Sequence, residues 1–113
     1  MAKAAPLRIL IVDDDEHVQK SLAFVLKMMG HEIVAANSAA QGVQRFVECQ
    51  PQLVFIDMVM PGGLGIEAVR EIRELDANIY IVAMSGSEEG GLNNLLVAAR
   101  DIGANQSLAK PFD

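Results

Sequence analysis

The sequence predicts an α/β fold in which helices cover both faces of a parallel sheet. Short β-branched runs alternate with segments whose apolar residues recur at helical spacing. The short runs are apolar on both faces, as strands inside a parallel sheet are, and right-handed helical crossovers connect such strands. At 113 residues and 51% hydrophobic composition, the chain is long enough for one domain. The predicted strands span residues 7–12, 31–36, 53–56, 79–84 and 107–109.

Four helices are predicted between these strands. Gly30 suits the C-terminus of the first helix, and Ser38 with Gln41 three residues later is typical of a capping box that opens the second. The apolar stripe of the first helix consists of Val18, Leu22, Val25, Leu26 and Met29. The other apolar stripes lie within residues 43–47, 66–75 and 92–102.

Composition limits the partners and the compartment. The formal net charge of −6 argues against nucleic acid or an anionic membrane as a direct partner of this domain. Cys49 is the single cysteine, so an internal disulfide is excluded and a reducing cytoplasm is the simpler location. No apolar run approaches the roughly 18 residues that a membrane span needs, and no segment resembles a signal peptide. We therefore expect a soluble cytoplasmic domain.

Polar residues stand at the carboxyl ends of four predicted strands. Asp13 and Asp14 follow the first strand, Asp57 the third, Ser85 the fourth and Lys110 the fifth. Ligands of open parallel sheets bind in the crevice beyond these strand ends. The five residues are therefore predicted to converge on one site.

The acids in this group point to a bound cation. Two ionised carboxylates about 5 Å apart repel by roughly 3 kcal/mol at an effective dielectric near 20, so a cluster of three needs protonation, a lysine or a hard cation. Oxygen ligands at this density suit Mg²⁺, which shares its shell with water and phosphate. The alternative is that residues 13–15 cap the following helix, and one of these acids can do so while the others bind the ion.

An anion site beside a cation site suits phosphoryl transfer. A carboxylate can act as a nucleophile and form an acyl phosphate, and the transfer needs mainly positioning and neutralised charge. In this interpretation Asp57 attacks phosphorus, Asp13 and Asp14 hold Mg²⁺, and Lys110 and Ser85 bind the transferred group. The charge of Asp57 at the end of an apolar strand is then offset by a metal ion and an ammonium group.

With these motifs in order, the chain resembles a response-regulator receiver domain, from "ILIVDD" through "VFIDMVMP" and "IVAMSG" to "LAKPF". The resemblance implies a flavodoxin-like five-stranded parallel sheet of order 2-1-3-4-5. It also implies that Asp57 accepts phosphate from a histidine kinase or phosphotransfer protein. Asp14 would be a direct Mg²⁺ ligand, Asp13 a second acid, and the backbone carbonyl of Val59 a further ligand. Asp15 is the spare acid.

The chain departs from the family pattern at four places. Ser107 stands where the family usually has an aromatic switch residue, and Leu64 where it commonly has Asp. The segment from Ser85 to Lys110 is about three residues longer than expected, with the excess in "GSEEGG", where we expect mobility. The sequence stops at "KPFD", where the last helix of a receiver would begin, so the sheet face beside the first helix would carry an apolar patch. We expect residues 1–113 to be a receiver domain cut from a longer regulator with an output domain; otherwise a partner, a dimer mate or an exchanged element would cover this face.

The function favoured by the sequence is a phosphoaccepting switch of a two-component system, with no external substrate. Phosphorylation of Asp57 would alter the surface around the fourth and fifth strands and the fourth helix. The alternative is a receiver that only docks on a partner, which Ser107 and the longer loop favour. A small aspartyl-phosphate phosphatase is disfavoured, because such enzymes need a second acid two residues after the nucleophile, and this chain has Val59 there.

Overall fold

The computed structural model describes residues 5–60, 63–86 and 103–110, with only the backbone described for residues 63, 64, 86, 107, 109 and 110. The predicted fourth helix and the "GSEEGG" loop lie largely outside these ranges, as does any segment after Lys110. The elements, in chain order, are β1 (Arg8–Val12), α1 (Glu16–Met28), β2 (Glu32–Ala36), α2 (Ala39–Cys49), β3 (Leu53–Asp57), β4 (Val59–Met60), β5 (Gly63–Leu64), α3 (Gly65–Leu75), β6 (Tyr80–Gly86) and β7 (Gln106–Lys110).

Five of the strands form one parallel sheet in the order β2-β1-β3-β6-β7. These are the five strands predicted from the sequence, so the predicted order 2-1-3-4-5 and the flavodoxin-like fold class are confirmed. A second, two-stranded sheet pairs β4 with β5 in antiparallel fashion, with Val59 opposite Leu64. This small pair follows β3 directly and was not predicted, because two-residue strands leave no alternation to detect.

The main core lies between the sheet and the helices α2 and α3. Alternate residues of the central strands point to this side, where each large aliphatic side chain contributes about 1.5–3 kcal/mol on burial. The core on this side includes Leu10, Val12, Phe46, Val54, Ile56, Val69, Ile72 and Ile81. The central strands β1 and β3 are therefore held rigidly at the points where their carboxyl ends meet.

Helix α1 turns part of the predicted stripe inward, together with a residue that was not predicted. Gln19 is its one buried residue, and the half-buried residues are Val18, Leu22, Ala23 and Leu26. The predicted Val25 and Met29 are instead exposed, by 47% and 66%. Three of the five predicted residues therefore face inward and two do not, because the helix also turns Gln19 inward, where its amide finds buried acceptors. Phe24 and Met28 are also exposed, so the outer side of α1 is apolar.

The helix ends largely follow the predicted signals. The side chain of Ser38 caps α2 by accepting a hydrogen bond from the backbone N–H of Gln41 at 3.1 Å. The side-chain oxygen of Gln41 in turn accepts a hydrogen bond from the backbone N–H of Asn37, one residue before the cap. Gly30 follows α1 with a φ of +96°, a conformation that glycine adopts without strain.

Candidate functional site at the carboxyl edge of the sheet

The predicted site residues come from four neighbouring strands of the sheet. Val12 lies opposite Ile56, so Asp13, the next residue, lies beside Asp57 at the end of β3. Asp57 in turn lies opposite Met84 of β6, one residue before Ser85. On the other side of β6, Gly86 pairs with Lys110. The topology therefore brings all of these positions to one edge, as predicted.

Three carboxylates form a cluster at this edge. Asp13, Asp14 and Asp57 each offer one oxygen, and these oxygens all lie within 4.8 Å of one another. Asp13 and Asp57 are buried, at 0% and 4% exposure, whereas Asp14 is exposed. A cation bound here would face solvent on the Asp14 side and protein on the other two.

Hydrogen bonds from the backbone orient the two buried acids. Oδ1 of Asp13 accepts from the N–H of Asp15 at 2.9 Å, while the backbone N–H of Asp13 donates to the carbonyl of Ala36 at 3.0 Å. Oδ1 of Asp57 accepts from the N–H of Val59 at 3.3 Å. Val59, whose carbonyl the family resemblance adds to the ligand set, thus begins β4 directly beside the acid cluster.

Asp15 has the capping role that was the alternative for this run of acids. It is the N-cap of α1, and its Oδ1 accepts from the N–H of His17 at 2.9 Å. A carboxylate at this position also interacts favourably with the helix dipole. The three consecutive acids therefore have two roles. Asp15 caps α1, and Asp13 and Asp14 form the carboxylate cluster with Asp57.

Ser85 and Lys110 lie on the other side of Asp57 from Asp13. Ser85 is 1% exposed and pairs with Ala109 of β7. The backbone of Lys110 is two strands away from Asp57, a separation of roughly 10 Å at the usual strand spacing. The backbone of Ser107 pairs with Ala83, further from this edge.

Two residues that the sequence did not single out support the site. Gln19 of α1 donates to the backbone carbonyl of Asp13. Gly65, the first residue of α3, lies so close to Asp57 that a Cβ at this position would be 2.1 Å from the carbonyl oxygen of Asp57. The "PGGLG" segment indicated a turn that needs glycine, but it did not indicate which glycine contacts β3.

The chemistry of this cluster fits a hard divalent cation. Its donors are all carboxylate oxygens, two are buried, and their mutual repulsion is relieved by positive charge. Mg²⁺ prefers oxygen ligands, is held by few carboxylates and retains several waters, which suits a cluster with one exposed member. The residues present therefore fit the ion that the family resemblance implies.

The fold and the site together define a class of protein, namely flavodoxin-like α/β domains with an acidic cluster at the carboxyl edge of the sheet. Comparison with known families narrows this class, because the response regulator receiver domain family matches residues 9–113. The chain belongs to this family.

Its relatives include single-domain and longer regulators. The chemotaxis protein CheY of Bacillus subtilis is 37% identical over 106 residues, which cover 93% of this chain and 86% of that protein. The phosphate regulon transcriptional regulatory protein PhoB of Pseudomonas aeruginosa is 32% identical, over 92% of this chain but 45% of that protein. Among solved structures, NtrX of Brucella abortus has a TM-score of 0.87 at 29% identity and covers 96% of this chain, which spans 24% of NtrX.

The chain thus spans most of the length of some relatives and less than half of the length of others.

Within residues 5–60, 63–86 and 103–110, none of the helices has the length and apolar character required to cross a bilayer.

Proposed function

We propose that the chain is a phosphorylation switch in which Asp57 accepts a phosphoryl group from a phosphohistidine donor with the help of Mg²⁺. The observation that carries this proposal is the cluster of Asp13, Asp14 and Asp57, with carboxylate oxygens within 4.8 Å of one another at the carboxyl edge. The donor would be a histidine kinase or a phosphotransfer protein. Membership of the receiver family supports this class of reaction.

The chemistry is a transfer between two protein side chains. A carboxylate oxygen of Asp57 forms a bond to phosphorus while the bond from phosphorus to the donor histidine nitrogen breaks, and that nitrogen keeps the electron pair and takes up a proton. Bound Mg²⁺ supplies positive charge to the phosphoryl oxygens. Asp13, Asp14, Asp57 and the carbonyl of Val59 would hold the ion.

The other residues of the site would bind the transferred group. The ammonium of Lys110 would pair with a phosphoryl oxygen, and the hydroxyl of Ser85 would donate a hydrogen bond to another. Ser85 lies on β6 and Lys110 on β7, so binding of the transferred group would act on these two strands. Because Ser107 replaces an aromatic ring, the signal would pass through the backbone of β6 and β7 and not through burial of a ring.

The test is phosphorylation by a small donor. Purified protein is incubated with acetyl phosphate and Mg²⁺, and intact mass is expected to rise by one phosphoryl group. Asp57→Asn and chelation by EDTA should each abolish the gain. Asp15→Asn is the matched control, since Asp15 lies next to the cluster, caps α1 and can be replaced in that role by asparagine.

A mass gain that survives Asp57→Asn would refute the assignment of the acceptor. No mass gain in folded wild-type protein would favour the second candidate function, a receiver that docks on its partner without phosphate. Ser107 in place of the aromatic switch residue favours that candidate. The two functions are distinguished further by whether partner binding changes when acetyl phosphate is added.

A further inference from the structure

Gln19 holds a position unlike that of any other residue of α1, a helix that is described over its whole length. It is buried although it is polar, and its side-chain nitrogen faces three oxygen acceptors. These are the backbone carbonyl of Asp13, the backbone carbonyl of Ala36 at 2.9 Å and Oδ1 of Asn37 at 2.8 Å. A buried amide is stable only with such partners, and here all three lie on loops beyond the carboxyl ends of β1 and β2 or at the end of β2.

The bond to Asp13 fixes a peptide unit that matters for the acid cluster. The carbonyl of Asp13 belongs to the peptide group that joins Asp13 to Asp14. The N–H on the other side of Asp13 donates to the carbonyl of Ala36, which also accepts from Gln19. The backbone on both sides of Asp13 is therefore tied to one network, and rotation of the peptide toward Asp14 would break it.

We propose that Gln19 is a positioning residue for the metal site: it orients the peptide between Asp13 and Asp14 so that both carboxylates face Asp57. This inference rests on the proposed function, since it concerns the ion that the cluster would hold. Gln19 does not touch the ion in this scheme. It acts through two ligands, as residues around a metal site do when they hold ligands in place.

A purely structural role for Gln19 would have a different signature. Loss of its hydrogen bonds would then lower the free energy of unfolding but leave the Mg²⁺ affinity of the folded protein unchanged. A positioning role lowers the affinity of the folded protein itself. Measuring both quantities on the same variant separates the two roles.

The experiment uses the whole chain with Gln19→Met, which keeps the length of the side chain and removes its donors. Mn²⁺ binding is measured from the free-ion signal in electron paramagnetic resonance, with Mg²⁺ as competitor, and stability is measured separately in EDTA. We expect affinity for both ions to fall by roughly 10- to 100-fold, the usual effect of removing a group that orients metal ligands. The matched control is Gln44→Met. Gln44 is exposed on α2, and within the described part of the chain the hydrogen bond of its side chain is to Glu48. The Gln44→Met variant should bind Mn²⁺ and Mg²⁺ with the affinity of the wild type.

If Gln19→Met does not fold, Gln19→Asn takes its place, because it keeps the amide but is one carbon too short to reach the carbonyl of Asp13. Ion affinity equal to that of the wild type in a folded variant at position 19 would overturn the inference and leave the proposed function intact. No ion binding by wild-type protein would overturn both.

Discussion

Gly65 lies against the backbone of Asp57, and this contact leads to a specific prediction for Gly65→Ala. A Cβ at position 65 would be 2.1 Å from the carbonyl oxygen of Asp57 and 3.0 Å from Cγ2 of Ile56. Ordinary carbon–oxygen contacts are about 3.3–3.6 Å, so the start of α3 and the end of β3 would have to separate by about 1.2–1.5 Å. The obstacle is backbone in a central strand, which cannot move aside as a flexible side chain can.

The expected loss of stability follows from two opposing effects. Overpacking of a tight contact costs about 1–3 kcal/mol, and contact with backbone places this case at the upper end or beyond. Alanine is favoured over glycine in a helix by about 1 kcal/mol, which offsets part of the cost. The net loss should be about 2 kcal/mol, or a fall of roughly 8–16 °C in Tm at the usual 4–8 °C per kcal/mol for a small domain.

Activity should fall as well, because the residue that must move is Asp57, the proposed phosphoryl acceptor. A displacement of about 1 Å can lower the rate of a positioned reaction by roughly 100-fold. Stability is measured by urea unfolding followed by far-ultraviolet circular dichroism, which suits a chain without tryptophan. The rate of mass gain with acetyl phosphate and Mg²⁺ is measured on the same samples.

Gly30→Ala is the control for the effect of glycine replacement alone. A Cβ at Gly30 meets nothing within 4 Å, but its φ of +96° makes alanine strained, at a cost of about 1–2 kcal/mol. This variant should lose stability without losing the wild-type rate of phosphorylation. If Gly65→Ala were as stable and as rapidly phosphorylated as the wild type, the steric argument would be refuted.

Two further predictions concern hydrogen bonds made by α3 and by the cap of α2. Arg73→Met should cost about 2–3 kcal/mol, because the guanidinium donates at 2.6 Å to the carbonyl of Gly103 and at 3.0 Å to Oδ1 of Asn105, and bonds from charged donors are strong. Urea unfolding checks this, and full stability of Arg73→Met would contradict it. Ser38→Ala should cost about 1 kcal/mol by removing the cap that accepts from Gln41, whereas Ser38→Asn should be nearly neutral in the same assay; equal losses for both would show that the cap is not the cause.

Sequence periodicity was sufficient to predict the sheet and the place where its acids meet. In a parallel sheet the carboxyl ends of all strands lie at one edge, so Asp13 and Asp57 had to be neighbours once their strands were adjacent. The rules of helix capping predicted that one of the three acids could cap α1, and the family resemblance set Asp15 apart as the spare acid. These conclusions depend on connectivity and residue type, which the sequence contains directly.

The inward face of α1 shows where periodicity alone was insufficient. Apolar spacing favoured a stripe that included Val25 and Met29, but both of these residues are exposed and Gln19 faces inward. A polar residue flanked by Val18 and Leu22 could have indicated this orientation, since Gln19 lies at helical spacing with Leu22 and Leu26. Whether a glutamine faces inward depends on acceptors supplied by other loops, and these acceptors are set by tertiary structure.

The same reasoning explains why the two supports of the acid cluster could not be predicted. Gln19 donates a hydrogen bond to the backbone carbonyl of Asp13, and Gly65 leaves room for the backbone carbonyl of Asp57. In both cases the group that is contacted is a backbone carbonyl. Every residue type has one, so the sequence does not indicate which carbonyl is contacted. The sequence shows that position 19 is a glutamine and position 65 a glycine, but not what either residue contacts. Gln19 and Gly65 each act on the main chain of an acid. Replacing either of them should therefore displace a carboxylate without removing it, whereas substitution of Asp13 or Asp57 removes the carboxylate.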